Sequence, residues 1–233
     1  MLLMTLAERA ATQIRTWLYD GTIGRDGFHS VPEMAERLGM SRSPVREGLL
    51  RLAEAGLVEF VPQRGFRRVR PTGQDIAEIF ALRLALEPQA AARAARQGRD
   101  RDAVVQQLHR QLTRMREAAT SGDEVAFGTA DELLHAVILE CSGSSRLVAL
   151  IAELRDTTRL IGANTAGRSR SHLEVLEEHE PFVDAIADAD PARAAISMRR
   201  HLIDTGRLLV AQAYDDGDTE AWRAWSDLVD EDE

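Results

Sequence analysis

The hydrophobic period of this chain changes once, and only for a short stretch. From residue 4 to residue 55 apolar side chains recur at helical spacing. LVEFV (57–61) and FRRVR (66–70) then alternate around a Pro62-Gln63-Arg64-Gly65 turn, the pattern of a β-hairpin. From Asp75 onward the helical period returns and no further strand pattern occurs. The fold class is therefore mainly α, with one small hairpin set between two helical regions.

Punctuation divides those regions. A helix over 4–20 ends at Gly21, and a short one over 32–38 stops at Gly39. The next, over 43–55, carries Pro44 in its first turn and Gly56 just past its end. Helix, short helix, turn, helix and hairpin, in that order, is the plan of a winged helix-turn-helix. Pro71-Thr72-Gly73 reads as a linker. Beyond it, helices are expected over 73–97, 100–121, 123–142, 144–164, 170–188 and 191–214. Breaks fall at Gly98, Ser121-Gly122, Ser142-Gly143 and Asp190-Pro191. Six antiparallel helices with short loops make a bundle. The expected domains are 1–71, 72–215 and an acidic tail over 216–233. That tail is expected to fray, save where Trp222 and Trp225 dock part of it.

Charge is distributed along the same boundary. The chain carries a net −9, yet residues 1–71 hold 11 arginines against 8 acids, and residues 72–233 hold 18 against 30. Residues 41–70 alone carry seven arginines and three glutamates. A local basic patch lets an acidic protein bind nucleic acid. There is no lysine, so every such contact would be a guanidinium, suited to bidentate pairing with phosphate or guanine. No apolar run approaches 18 residues, which argues against a membrane span. Glu8 and Arg9 interrupt the start too early for a secretory signal. The single cysteine, Cys141, excludes an intrachain disulfide and points to a reducing, cytoplasmic compartment.

The segment GMSRSPVREGLLRLAEAGLVEFVPQRGFRRV resembles the DNA-binding domain of the GntR family, a match covering roughly residues 5–70. The resemblance implies that Arg42, Ser43 and Arg46 open the recognition helix and contact operator DNA. It places Gly65 at the wing tip, where the backbone approaches DNA closely. Arg64, Arg67 and Arg68 would serve the phosphates. The chain departs from the family at Pro32, where some relatives carry a further DNA-contacting arginine.

A second constellation lies in the bundle. Asp131 and His135 are four apart on one helix face, and His179 and His201 sit on the two later helices. Helical-wheel positions turn all four toward apolar stripes, where a polar group is costly unless paired. One divalent ion could satisfy three imidazoles and a carboxylate together. Separate core histidines bonded to backbone would also satisfy the pattern.

Residues 73–214 resemble the FCD ligand-binding domain of the FadR subfamily. Asp131, His135, His179 and His201 match the metal-binding positions of that subfamily, and ALRLALEPQAAARAA matches its first bundle helix. The resemblance implies a divalent metal, zinc or nickel ahead of manganese. It also implies a small carboxylate effector held by Arg83, with Asn164 and His172 as further candidates. The expected protein is not an enzyme. It is a homodimeric regulator, in all expectation a repressor, whose operator affinity the effector changes. Two alternatives stay open: a regulator with a structural or signalling metal, and a metal-dependent hydrolase.

Overall fold

The computed structural model describes residues 4–19, 21–24, 27–69, 72–96, 101–160, 169–213 and 219–230. The chain divides into two compact units, Met1–Pro71 with Arg155–Ala163, and Thr72–Leu154 with Asn164–Glu233.

The first unit contains α1 (Leu6–Tyr19), α2 (Val31–Leu38), α3 (Arg42–Glu54), β1 (Val58–Val61) and β2 (Gly65–Arg68). α2 starts at a reciprocal cap. Glu33 N–H donates to the Ser30 hydroxyl at 3.2 Å, and Ser30 N–H donates to the Glu33 carboxylate at 3.3 Å. Pro32 falls in the first turn, where its missing N–H costs nothing. That accounts structurally for the residue that breaks the family pattern. α1 packs across α3, and Ile14, Leu18, Met34, Val45, Leu49, Leu52, Leu57 and Phe66 close one core.

β1 and β2 pair antiparallel with Glu59 opposite Arg67 and Phe60 opposite Phe66. The backbone of His29 adds a bridge to β2, its N–H and C=O each bonding Phe66 at 2.8 Å. His29 is thus part of the sheet edge. This bridge also bears on Gly65. A Cβ there would stand 2.1 Å from the His29 carbonyl oxygen, and φ is +99°. Folding alone demands glycine at this position, whether or not DNA comes near it.

Alternation along β2 corrects one expectation. Phe66 and Arg68 face inward and Arg67 faces out, so Arg68 is buried, at 6% exposed. It cannot serve a phosphate from there, and it belongs with the inner face of the hairpin.

The second unit is built from α4 (Gly73–Arg96), α5 (Arg101–Ser121), α6 (Glu124–Glu140), α8 (His172–Ala187), α9 (Pro191–Ala213) and α10 (Thr219–Asp230), with the start of α7 (Ser145–Leu160). α4 runs along α9, α5 packs on α6 and α8, and α8 packs on α9. Phe80, Leu108, Met115, Leu134, Phe182, Ile186, Met198 and Leu202 lie at the centre.

Within the tail 219–230 is a helix, and Trp225 docks it as expected. Trp225 is buried and meets Phe80 edge-on at 6.0 Å. A Cβ at Gly206 of α9 would stand 2.2 Å from the Trp225 ring, so the indole seats where α9 has no side chain. Asp227 of this helix faces solvent. Among the described residues, no helix is long and apolar enough to cross a membrane.

Candidate nucleic-acid interface and metal centre

α3 presents two faces. Val45, Leu49 and Leu52 are buried against α1, while Arg42, Ser43 and Arg46 are exposed on the first turn. Ser41 is the N-cap residue, and its hydroxyl makes no capping bond to the helix. The opening of α3 therefore offers backbone N–H groups and two guanidinium groups on one side, a favourable setting for an anion. Arg46 also lies over the Phe60 ring of β1, 5.8 Å from its centroid. In the hairpin, Arg64 is exposed at the turn and stacks on Phe28 at 4.2 Å. Arg67 pairs with Glu59 across the strands, so part of the wing's positive charge is already neutralised.

In the second unit the fold brings the predicted histidines together. His135 of α6, His179 of α8 and His201 of α9 are 1%, 0% and 6% exposed. Their ring centroids lie 4.5 to 5.5 Å apart. One donor atom of each falls within 4.8 Å of the others. Phe182 closes one side, with its ring 5.3 to 6.0 Å from all three. Asp131, one turn before His135, places Oδ1 2.8 Å from His179 Nε2 and 3.9 Å from His135 Nε2. Two ligands each about 2.1 Å from one ion sit about 3 Å apart at a right angle and about 4 Å apart when opposed. The 3.9 Å spacing falls in that range, and the 2.8 Å spacing, a hydrogen-bond distance, lies just under it.

The second nitrogen of each ring decides what the cluster can do. His179 Nδ1–H donates to the Val175 carbonyl at 2.6 Å. His135 Nδ1 meets Glu87 Oε2 at 3.0 Å. His201 Nδ1 meets Glu178 Oε2 at 3.3 Å. With an acceptor beside every Nδ1, the three rings share one tautomer and turn Nε2 toward each other. Metal-ligating histidines are held in this way. Unrelated core histidines would have no reason to agree. His201 is also kept well below its ordinary value of 6.5, first by burial, then by the nearby charges of His179, Arg83 and Arg170, against the pull of Asp131. A neutral imidazole is the form that binds metal. The residues present therefore fit a divalent ion.

The sequence reading missed two carboxylates and one arginine. Glu87 is buried and joined to Arg83, whose Nε–H donates to Glu87 Oε1 at 2.6 Å. Its visible trace was an acid on the inward stripe of α4. Glu178 is joined to Arg170, which also donates to the Thr205 hydroxyl at 3.2 Å. Arg170 precedes the Ser171 cap of α8, and its side chain is only 9% exposed.

The effector candidates fare differently. Arg83 is buried beside the histidines, with its guanidinium over Phe80 at 4.6 Å. His172 opens α8 and packs edge-on against Phe127 at 4.7 Å. Asn164 lies outside the described residues.

Comparison with known proteins assigns both domains. The model for the FCD domain matches residues 78–204, and that for bacterial regulatory proteins of the gntR family matches residues 6–67. An HTH-type transcriptional regulator from Agrobacterium vitis is 37% identical over 111 residues, 47% of this chain and 65% of that protein. The match thus spans just under two thirds of that relative. A probable D-xylose utilization operon transcriptional repressor from Paenarthrobacter nicotinovorans is 28% identical over 189 residues, 81% of this chain and 80% of the relative. Among solved structures, E. coli McbR/YncC superposes with a TM-score of 0.78 at 21% identity, covering 91% of this chain and all of that one, which shows the shared fold. These families consist of transcription regulators and not enzymes, which removes the hydrolase alternative. The chain belongs to the gntR family of bacterial regulatory proteins, with an FCD domain as its helical part.

Proposed function

We propose that this protein is a cytoplasmic, homodimeric repressor that binds operator DNA through α3 and is released by a small carboxylate bound beside a divalent metal. The observation that carries the reading is the exposed pair Arg42 and Arg46, standing over a buried Val45–Leu49–Leu52 stripe. An α-helix fits the major groove, and arginine pairs bidentately with guanine there. Ser43 and the open N–H groups at the start of α3 would hold a phosphate and set the register. Arg64 and Arg67 would lie along the adjacent backbone, with Arg67 exchanging Glu59 for phosphate, and Gly65 keeps the wing slim at its tip. A twofold dimer would place two such helices on a near-palindromic site.

In the helical unit, Asp131, His135, His179 and His201 would hold the metal. Zinc or nickel leads manganese on intrinsic affinity. The metal would supply Lewis acidity and an open coordination position for a carboxylate oxygen. Arg83 uses Nε for Glu87, and the other edge of its guanidinium is the natural partner for the second oxygen. Asn164 and His172 would complete the pocket. The effector changes DNA affinity only as far as it prefers one state of the protein, with a coupling of about 1–3 kcal/mol.

A second reading, a purely structural metal, draws support from the near-complete burial of the three histidines. Fluorescence anisotropy on a selected operator duplex separates the two. Under the sensor reading, a small carboxylate weakens binding of the metal-loaded protein and has no effect once metal is stripped. Under the structural reading, stripping unfolds the helical unit, as circular dichroism would report. Undiminished binding with Arg42 and Arg46 both replaced by alanine would remove the DNA assignment itself.

A further inference from the structure

We propose that Glu87 is the positioning residue of the metal centre, fixing His135 on one side and Arg83 on the other. This rests on the metal reading above. Glu87 comes from α4, which supplies none of the four candidate ligands. Its Oε2 meets His135 Nδ1 at 3.0 Å, and its Oε1 accepts from Arg83 Nε–H at 2.6 Å. All three side chains are essentially inaccessible, at 4% exposed or less.

A charged pair in this place is not explained by stability. Burying two ions carries a desolvation cost, and well-packed apolar residues of similar size often do as well or better. The position also lies on the inward stripe of α4 with Phe80, Leu84, Ala91 and Ala94, where a leucine would pack. What the carboxylate adds is orientation. By accepting from Nδ1–H it fixes the tautomer of His135, aims Nε2 at the other ligands and raises its basicity.

The three histidines are not held alike. His179 is held by a carbonyl of its own helix, Val175. His201 is held by Glu178, whose side chain is 26% exposed, at 3.3 Å. His135 alone among these is tied to a different helix through a fully buried charge. Glu87 therefore connects the proposed metal ligand on α6 to the proposed carboxylate anchor on α4. A carboxylate that draws on Arg83 acts on His135 through the same residue.

The test is a competition titration of zinc into metal-stripped full-length protein against a chromophoric chelator, with Glu87→Gln beside the parent. Loss of an outer partner typically costs about 10–100-fold in metal affinity, and that is the expected weakening. Saturating cobalt(II) gives a second readout, because the visible ligand-field band reports how His135 sits. The band should shift in Glu87→Gln, which a merely structural role would not cause. Should that variant fold poorly, the double variant Arg83→Leu with Glu87→Leu replaces both charges by packing residues. It also removes a nearby positive charge, which by itself would tighten metal binding, so weaker binding there points to the lost carboxylate. Parent-like affinity and an unchanged cobalt band in the variants overturn the proposal. A parent that takes up no metal fails at an earlier step and takes the metal reading with it.

Discussion

The arginine face of α3 and the histidine cluster between α6, α8 and α9 are built in opposite ways. Arg42, Ser43 and Arg46 lie within five positions of one helix and face solvent. The cluster gathers residues from 131 to 201 on three helices, and its imidazoles are buried. The first needs only that α3 be helical and seated on its core. The second needs three helices in register and a partner for every nitrogen. An exposed site meets its ligand by charge and shape at low internal cost. A buried site must have partners for its polar groups, and Glu87, Glu178 and the Val175 carbonyl take the Nδ1 side of the three rings.

The largest effect should come from removing a cluster member. His179→Ala should lower bound metal from one ion per chain to none, measured by elemental analysis after dialysis. His179 offers Nε2 to the centre, beside Asp131, from a wholly buried ring. Retention of a full equivalent would show that the remaining ligands suffice, and the contrast between a cooperative and a local site would weaken.

The arginine face should respond in a graded way. Arg42→Ala and Arg46→Ala should each cost about 1–3 kcal/mol in specific DNA binding. Metal content should not change, because neither residue belongs to the helical unit. Anisotropy at several salt concentrations separates the roles. A base contact relaxes specificity, while a phosphate contact lowers the salt slope by about one. Loss of metal in either variant would break the comparison.

Acid should act on the cluster through His201. His201 is held below its ordinary 6.5, so the unfolded chain takes up a proton that the folded chain refuses. The metal-free protein therefore has this contribution intact above about pH 6.5 and loses it as pH falls below that, by at most about 1.4 kcal/mol per pH unit. Melting curves of stripped protein between pH 7.5 and 5.5 check the sign. His201→Asn should flatten the slope, and an equal slope in the variant would assign the effect to other groups.

How much of this was legible in the sequence follows the same division. SRSPVRE and the hairpin were legible because their signals are local: a contiguous family motif, a helix face, a turn. Asp131 and His135 were legible because four residues make one helical turn. Glu87 was not, since its meaning comes from a histidine 48 positions away. Arg170 was hidden similarly by Glu178 and Thr205. Arg68 was misread because a run of three basic residues in four conceals which way each points, and only the register with β1 turns it inward. The C-terminal helix was masked by its acidity, while the signal that mattered was Trp225 facing the gap at Gly206.

The smallest test uses two of the reciprocal helix caps, those that serine opens. Ser30 begins α2 and Ser171 begins α8, each with a glutamate three residues on that returns the bond. Ser30→Ala and Ser171→Ala should each cost about 1 kcal/mol of stability, measured by denaturant melts. Their consequences should diverge. α2 carries no candidate ligand, so Ser30→Ala should leave zinc affinity unchanged. α8 carries Glu178 and His179 on its second turn, and the cap adjoins Arg170. Fraying there should weaken zinc binding by at most about fivefold, the ratio that 1 kcal/mol corresponds to. Equal zinc affinity in the two variants would mean that the second turn of α8 is held by packing and the carboxylate pairs alone. Equal weakening in both would mean that the two units share more stability than their separate cores imply.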